Sequence, residues 1–270
     1  MPLAVCATPI GNLDDVTLRV LTELREADVV LCEDTRRTRI LLDRYEIEAR
    51  LVSYHRHNEA SRGAEVMERL GRGERVALVS DAGLPGVNDP GTRLIRAAAA
   101  RGLDVTVLPG ASSVETALVV SGLAVDRYQF VGYLPRRAGE LRELTRGLAR
   151  WSGAVVAFES PRRLPASLAV LAEEMPERPA AVCRELTKRF EEVARGTLKE
   201  LAARFAEPPK GEITIVLGAP ANSESSVEEP DQALEAVAEL VAAGLPRRQA
   251  ADVVARLTGT SKNALYRGSL

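Results

Sequence analysis

The stretch VALVSDAGLPGVNDPG, residues 76–91, decides the fold. Val76 to Val79 are all apolar, which suits a strand buried on both faces of a parallel sheet. From Ser80 onward, Gly83, Pro85, Gly86, Pro90 and Gly91 interrupt any regular element, with Asp81 and Asp89 bracketing the interruption. In an open parallel sheet, ligands bind outside the carboxyl ends of the strands. Glycine lets the backbone approach a ligand with no side chain between them, and proline reduces the entropy lost when a loop is ordered. The segment therefore reads as the wall of a pocket, against the plainer alternative of a rigid surface turn. Neither GxGxxG nor GxxxxGK[ST] is present, so a dinucleotide fingerprint and an ordinary nucleoside triphosphatase are set aside.

The same pattern extends to both sides. PLAVCA, VVLC, LVSY and VTVLP read as strands, separated by helical patterns such as DDVTLRVLTELREA, where Val16, Val20, Leu21 and Leu24 share a face. Strands alternating with helices predict a mainly parallel sheet covered on both faces, over residues 1–120. Residues 121–220 read as a second α/β unit. Its strand FEEVARG breaks a clean strand–helix alternation and predicts a mixed sheet. ANSESSVEEPD, residues 221–231, has a linker's composition, with four acidic residues and no basic one. Residues 232–270 predict a small helical module that resembles a helix-turn-helix. Ala250, Val253, Val254 and Leu257 would form the buried stripe of one helix, and Ser261 would cap a second that packs through Leu265.

Composition narrows the function classes. Hydrophobic residues make up 46% of the chain but aromatics only 4%, so the core is predicted to be aliphatic. A net charge of −2 excludes a globally basic nucleic-acid binder, though not a basic patch. Three separated cysteines and two histidines supply neither a disulfide framework nor zinc-ligand spacing, so no metal is expected. No membrane-spanning run or signal-peptide pattern is apparent, which leads to the expectation of a cytoplasmic protein.

Three further strand-end loops carry polar groups. VTVLPGASS leaves a strand through Pro109 and Gly110 and offers Ser112 and Ser113 as helix caps. TPIGNLDD follows the first strand. EDTRRT places Glu33 and Asp34 directly after VVLC, followed by Arg36, Arg37 and Arg39, whose guanidinium forks suit phosphate. The alternative for EDTRRT is a solvated helix start with acidic residues at its favourable end.

ATPIGNLDD, EDTRRT, SYHRHNE, LVSDAGLPGVNDPG, LPGASS, FESPRR, CRELTKRFEE and KGEITIVLG occur in this order. Together they resemble the bacterial small-subunit ribosomal RNA cytidine 2′-O-methyltransferases, within the tetrapyrrole-methylase-like class of S-adenosylmethionine enzymes. The resemblance spans Leu3 to about Ala219, and the C-terminal tail is similar as well. It implies an α/β fold of two domains and a cofactor, S-adenosylmethionine, held between them. It also implies small-subunit ribosomal RNA or the assembled subunit as substrate, and a homodimer. Cofactor contacts are expected from Pro9, Asp81, Ala82, Gly83, Pro85, Val87, Asn88, Asp89, Pro109, Gly110, Ser112, Phe158, Glu159 and Glu212. Candidates for the proton acceptor are Glu33, Asp34, His57 and Glu159, with His55 able to accept or to orient RNA. Candidate RNA contacts are Asn12, Arg36, Arg37, Arg39, His55, Arg136, Arg162, Arg163, Arg247, Arg248 and Lys262. Leu84, Gly86, Phe158 and Pro161 depart from residues common in such relatives, and Phe158 lacks a tyrosine hydroxyl. Tetrapyrrole methylation and a noncatalytic RNA-binding role in ribosome assembly are the competing readings.

Overall fold

Alternating side chains explain why the first sheet is buried on both faces. The computed structural model describes residues 3–220, 230–258 and 261–269. Five strands, β1 (Leu3–Cys6), β2 (Val29–Cys32), β3 (Leu51–Ser53), β4 (Val76–Val79) and β5 (Val105–Leu108), form one sheet in the order β3-β2-β4-β1-β5. Every pairing in it is parallel. Along β1, Ala4 and Cys6 pack with α1 (Leu18–Glu26) and α2 (Thr35–Arg44) through Leu24 and Leu42. Leu3 and Val5 point the other way, to α3 (Glu59–Gly71) and α4 (Thr92–Ala100), meeting Leu70 and Leu94. This is the two-residue period of a strand expressed as two hydrophobic layers.

The second sheet is mixed, as expected. It comprises β6 (Tyr128–Tyr133), β7 (Ala154–Glu159), β8 (Pro179–Arg184), β9 (Glu192–Thr197) and β10 (Ile213–Leu217), in the order β6-β7-β10-β8-β9. Only β6 and β7 run parallel; the other three pairings are antiparallel. Helices α6 (Ala138–Ala149), α7 (Leu164–Glu174) and α8 (Leu198–Arg204) cover one face through Leu141, Leu168 and Leu201. Its other face is covered by α5 (Ser113–Ser121), through Val114, Ala117 and Leu118. The boundary drawn after residue 120 is therefore corrected: α5 packs on the second sheet, so the packing changes hands in the loop after β5. Sequence adjacency to β5 had suggested otherwise.

Buried Arg178 fastens the second unit internally. Its guanidinium donates to the carbonyls of Gly218 (2.8 Å), Leu148 (2.6 Å) and Gly153 (2.9 Å). Burial without a countercharge lowers its pKa to about 10.

Of the expected linker, residues 221–229 lie outside the described residues. The C-terminal module is α9 (Pro230–Ala242), α10 (Arg247–Thr258) and α11 (Lys262–Gly268). Its core holds Val237, Ala250, Ala251, Val254 and Leu265. The predicted stripe is shifted: Ala251 replaces Val253, and Leu257 is 81% exposed. Ser261 occupies the N-cap position of α11 without a side-chain capping bond. Among the described residues, no helix is long and apolar enough to cross a membrane.

Candidate active site

Because β4, β1 and β5 are neighbours, their carboxyl-end loops are brought side by side. The loops after β4 and β5 do not come from neighbouring strands; the loop after β1 lies between them and joins both. Thr8 N–H donates to the Gly83 carbonyl (2.8 Å), and Gly83 N–H returns the bond to Thr8 (3.0 Å). The Thr8 hydroxyl donates to the Ser80 carbonyl at 3.0 Å. Asn88 sits at φ +63° and Gly83 at +78°, so the loop departs from regular structure where glycine and asparagine tolerate it. A Cβ on Gly110 would lie 3.0 Å from Ala7 Cβ, so only glycine lets the β5 loop close against β1.

The second unit closes the site from above. A Cβ on Gly11 would come within 2.5–2.7 Å of Leu186, Thr187 and Lys188. Asn12 N–H donates to the Thr187 hydroxyl at 2.9 Å. Lys188 reaches Glu185 (2.9 Å) and Glu212 (3.0 Å). The result is an open cleft of about 270 Å³ lined by Thr8, Pro9, Ile10, Gly11, Asp81, Ala82, Arg37, Lys188 and Glu212, among others.

Four carboxylates near the cleft differ in their environments. Asp34 caps α2, accepting from Arg36 N–H (2.9 Å), and pairs with the Arg36 guanidinium at 2.7 Å. That pairing holds its pKa at about 2. Paired in this way, Asp34 is a weaker proton acceptor than an unpaired carboxylate. Asp81 accepts from Asp34 N–H at 3.1 Å and faces Arg37 at 3.6 Å. Burial, and then the Asp81 charge, push the Glu33 carboxyl above the usual range, with Arg56 and His55 opposing. Asp89 is pushed up to about 6 by burial and by Glu33; Ser80 and Arg56 offset this in part. Arg56 also donates to the Asn88 carbonyl.

Residues 2–202 match the family model for tetrapyrrole (corrin/porphyrin) methylases, and residues 228–268 match that of the RsmI C-terminal HTH domain. The chain is 45% identical to the ribosomal RNA small subunit methyltransferase I of Mesorhizobium japonicum, covering 98% of this chain and 90% of that protein. The chain belongs to the ribosomal RNA small subunit methyltransferase I family. A relative of the same name from Neisseria meningitidis serogroup A is 42% identical over 98% of this chain and 91% of its own. Among solved structures, the uroporphyrin-III C-methyl transferase of Thermus thermophilus, complexed with S-adenyl homocysteine, shares the fold. Its TM-score is 0.57 at 21% identity, covering 80% of this chain and 96% of that one. The two-domain methylase fold read from the sequence is thus the fold of this family member.

Within this family member, the remaining predicted site residues separate into two groups. Pro9, Asp81, Ala82 and Glu212 line the cleft. Gly83, Asn88 and Asp89 follow in the loop after β4 and Gly110 in the loop after β5, outside the lining of the cleft; Pro85 is buried and Val87 exposed. Ser112 hydrogen-bonds Glu115 at the start of α5, after Pro109. Phe158 packs edge-on against Phe130 (4.8 Å) and Tyr133 (5.5 Å).

Glu159 does not reach the cleft. It is 2% exposed and accepts from Ser160 N–H (2.7 Å), Arg163 (2.9 Å) and Ser167. Both of its assignments, to catalysis and to the cofactor, are corrected: strand alternation turns it to the face covered by α7, where it meets Ser167, while Phe158 packs on the opposite face. Arg163 is corrected with it, since its guanidinium binds Glu159 and the carbonyls of Leu134 and Pro135. Arg36 is committed to Asp34 and Lys262 to Asp252. The Asn12 carbonyl oxygen caps the 3-10 turn Leu13–Asp15.

His57 is exposed, edge-on to half-buried His55 at 5.9 Å, and lines no part of the cleft. Arg39, Arg136, Arg162 and Arg248 are exposed, while Arg247 is half-buried. Sequence reasoning missed Thr8, Lys188, Arg56 and Tyr133. Thr8, Arg56 and Lys188 lie within quoted motifs and Tyr133 outside them; Thr8 and Lys188 line the cleft, and nothing in the spacing of the motifs marks them as doing so.

Proposed function

We propose that the protein transfers a methyl group from S-adenosylmethionine to the ribose 2′-hydroxyl of a cytidine in the decoding region of small-subunit (16S) ribosomal RNA. The single observation that carries this reading is family membership along nearly the whole chain, catalytic unit and C-terminal module together. The site is compatible with such a cofactor: its wall includes Thr8 to Gly11 and Ser80 to Ala82 from two strand-end loops, and Lys188 and Glu212 face it. S-adenosylmethionine, when bound, supplies a methyl group already activated on a sulfonium. The protein's task is to hold the ribose oxygen in line with that methyl group and to accept the hydroxyl proton as the new O–C bond forms and the S–C bond breaks.

Glu33 is the favoured acceptor. Its carboxyl is half-buried with a raised pKa, which makes it a stronger base than Asp34. Exposed Arg37, Arg39, Arg136 and Arg162 would meet phosphate. Exposed basic residues Arg248 and Arg267 on the C-terminal module would add RNA contacts. We further propose a cytoplasmic homodimer; light scattering showing a monomer at all concentrations would remove the dimer. Isothermal titration calorimetry with S-adenosylhomocysteine tests the enzymatic reading against a noncatalytic RNA adaptor. Saturable binding is expected, and an absence of binding heat across temperatures would overturn it.

A further inference from the structure

We propose that Tyr133 is the platform on which the base of the target nucleotide stacks, a specificity residue that sets affinity for RNA. The proposal rests on the RNA reading above. β6 and β7 pair in register at Tyr128↔Ala154, Gln129↔Val155 and Phe130↔Val156, but the next pair is Tyr133↔Phe158. Three steps on β6 thus oppose two on β7, the mark of a β-bulge, which re-aims the side chain that follows it.

Gly132 makes the bulge possible. Its φ is +70°, and a Cβ there would lie 3.0 Å from the Asn88 amide oxygen. The bulge therefore brings the second unit's strand against the β4 loop of the first. Tyr133 emerges from this contact 63% exposed. Its ring packs at a steep angle against Phe158 (5.5 Å between centroids), and Phe158 is in turn braced by Phe130 at 4.8 Å.

Tyr133 pairs with Phe158, and Phe158 with Thr214, two residues after the cleft-lining Glu212. With Gly132 set against Asn88 of the β4 loop, Tyr133 therefore lies near the cleft, between the two domains, packed on Phe158 and open to solvent. In a chain that is only 4% aromatic, an exposed and braced tyrosine here has no packing role that requires its exposure. Sequence-specific RNA recognition uses splayed nucleotides stacked on aromatic rings, and stacking tolerates loss of the hydroxyl but not of the ring.

The test compares Tyr133→Phe, Tyr133→Leu and Tyr133→Ala on unmodified small ribosomal subunits, with S-adenosylhomocysteine affinity measured alongside. Methylation by the unaltered protein comes first; its failure would remove the RNA reading itself before any variant is assayed. The expected result is KM for the subunit within about threefold of normal in the phenylalanine variant. In the leucine and alanine variants KM should rise about tenfold or more, equivalent to ~1.4 kcal/mol, with kcat far less affected and cofactor affinity unchanged. The leucine variant keeps Phe158 covered, so it carries the test if the alanine variant melts early. A normal KM in the leucine variant would overturn the proposal. Equal losses in the phenylalanine and leucine variants would also overturn it, assigning the role to the hydroxyl. Loss of S-adenosylhomocysteine binding in a leucine variant that melts normally would place the ring against the cofactor instead.

Discussion

Asp89→Asn should make the protein more stable and less able to bind its cofactor. The Asp89 carboxyl has a pKa of about 6 in the folded protein against 3.8 ordinarily, because it is buried and faces Glu33 and Asp81. A raised carboxyl pKa means that the folded state holds the proton more tightly than the unfolded chain. The site is therefore without penalty below about pH 4, and the penalty grows between about pH 4 and 6 and is complete above that. About two pK units at ~1.4 kcal/mol each set a ceiling near 3 kcal/mol. Asp89 is partly open to solvent and shares its repulsion with two other carboxylates, so about half of that is expected, ~1.5 kcal/mol at pH 8. At pH 4.5 the gain should shrink to ~0.5 kcal/mol. Thermal melts of the two proteins at both pH values read this directly, as a rise of about 3–6 °C at pH 8 and little at pH 4.5. Calorimetry with S-adenosylhomocysteine should show weaker binding by the more stable variant, since a charge kept at a cost in stability is the signature of a functional site. A variant no more stable at pH 8, or equally stabilised at both pH values, would refute the reasoning.

Gly110→Val would press on Ala7 and should cost ~1–3 kcal/mol of stability while abolishing cofactor binding; a normal calorimetric isotherm would show that the β5 loop is not part of the wall. Glu159→Ala removes the buried acceptor of Ser160 N–H, Ser167 and half-buried Arg163 and should lower stability by ~2–3 kcal/mol, yet leave kcat of the folded enzyme within about twofold; a kcat loss of a hundredfold would return Glu159 to the active site. Paired Arg247→Glu and Arg248→Glu substitutions should weaken subunit binding and reduce its salt slope by about two, with cofactor affinity unchanged. An unaltered slope would remove the C-terminal module from the RNA surface.

The first domain was legible because its strands are short apolar runs punctuated by glycine and proline, and two-sided burial leaves few other readings for VVLC or VALV. The mixed second sheet was legible from FEEVARG, which has no helix before it. What the sequence could not convey was distance. α5 follows β5 directly, and nothing local says that it packs on the other sheet. Glu159 and Phe158 are adjacent residues on opposite faces of a sheet covered on both sides, and nothing local says which of them meets α7. EDTRRT contained both a buried, raised carboxyl at Glu33 and a solvated cap at Asp34. Their difference depends on Asp81 and Arg36, one distant in sequence and one near. Tyr133 was hidden for a related reason, since a bulge is a property of a strand pair rather than of one strand.

The most direct measurement is transfer of a labelled methyl group from S-adenosylmethionine to unmodified small ribosomal subunits, followed by nuclease digestion and mapping of the labelled nucleotide. The account predicts one equivalent of label on the ribose 2′-oxygen of a single cytidine in the decoding region, dependent on Glu33. Label on a base, label on a nucleotide elsewhere, or transfer to a tetrapyrrole in place of both assembled subunits and free ribosomal RNA would contradict it.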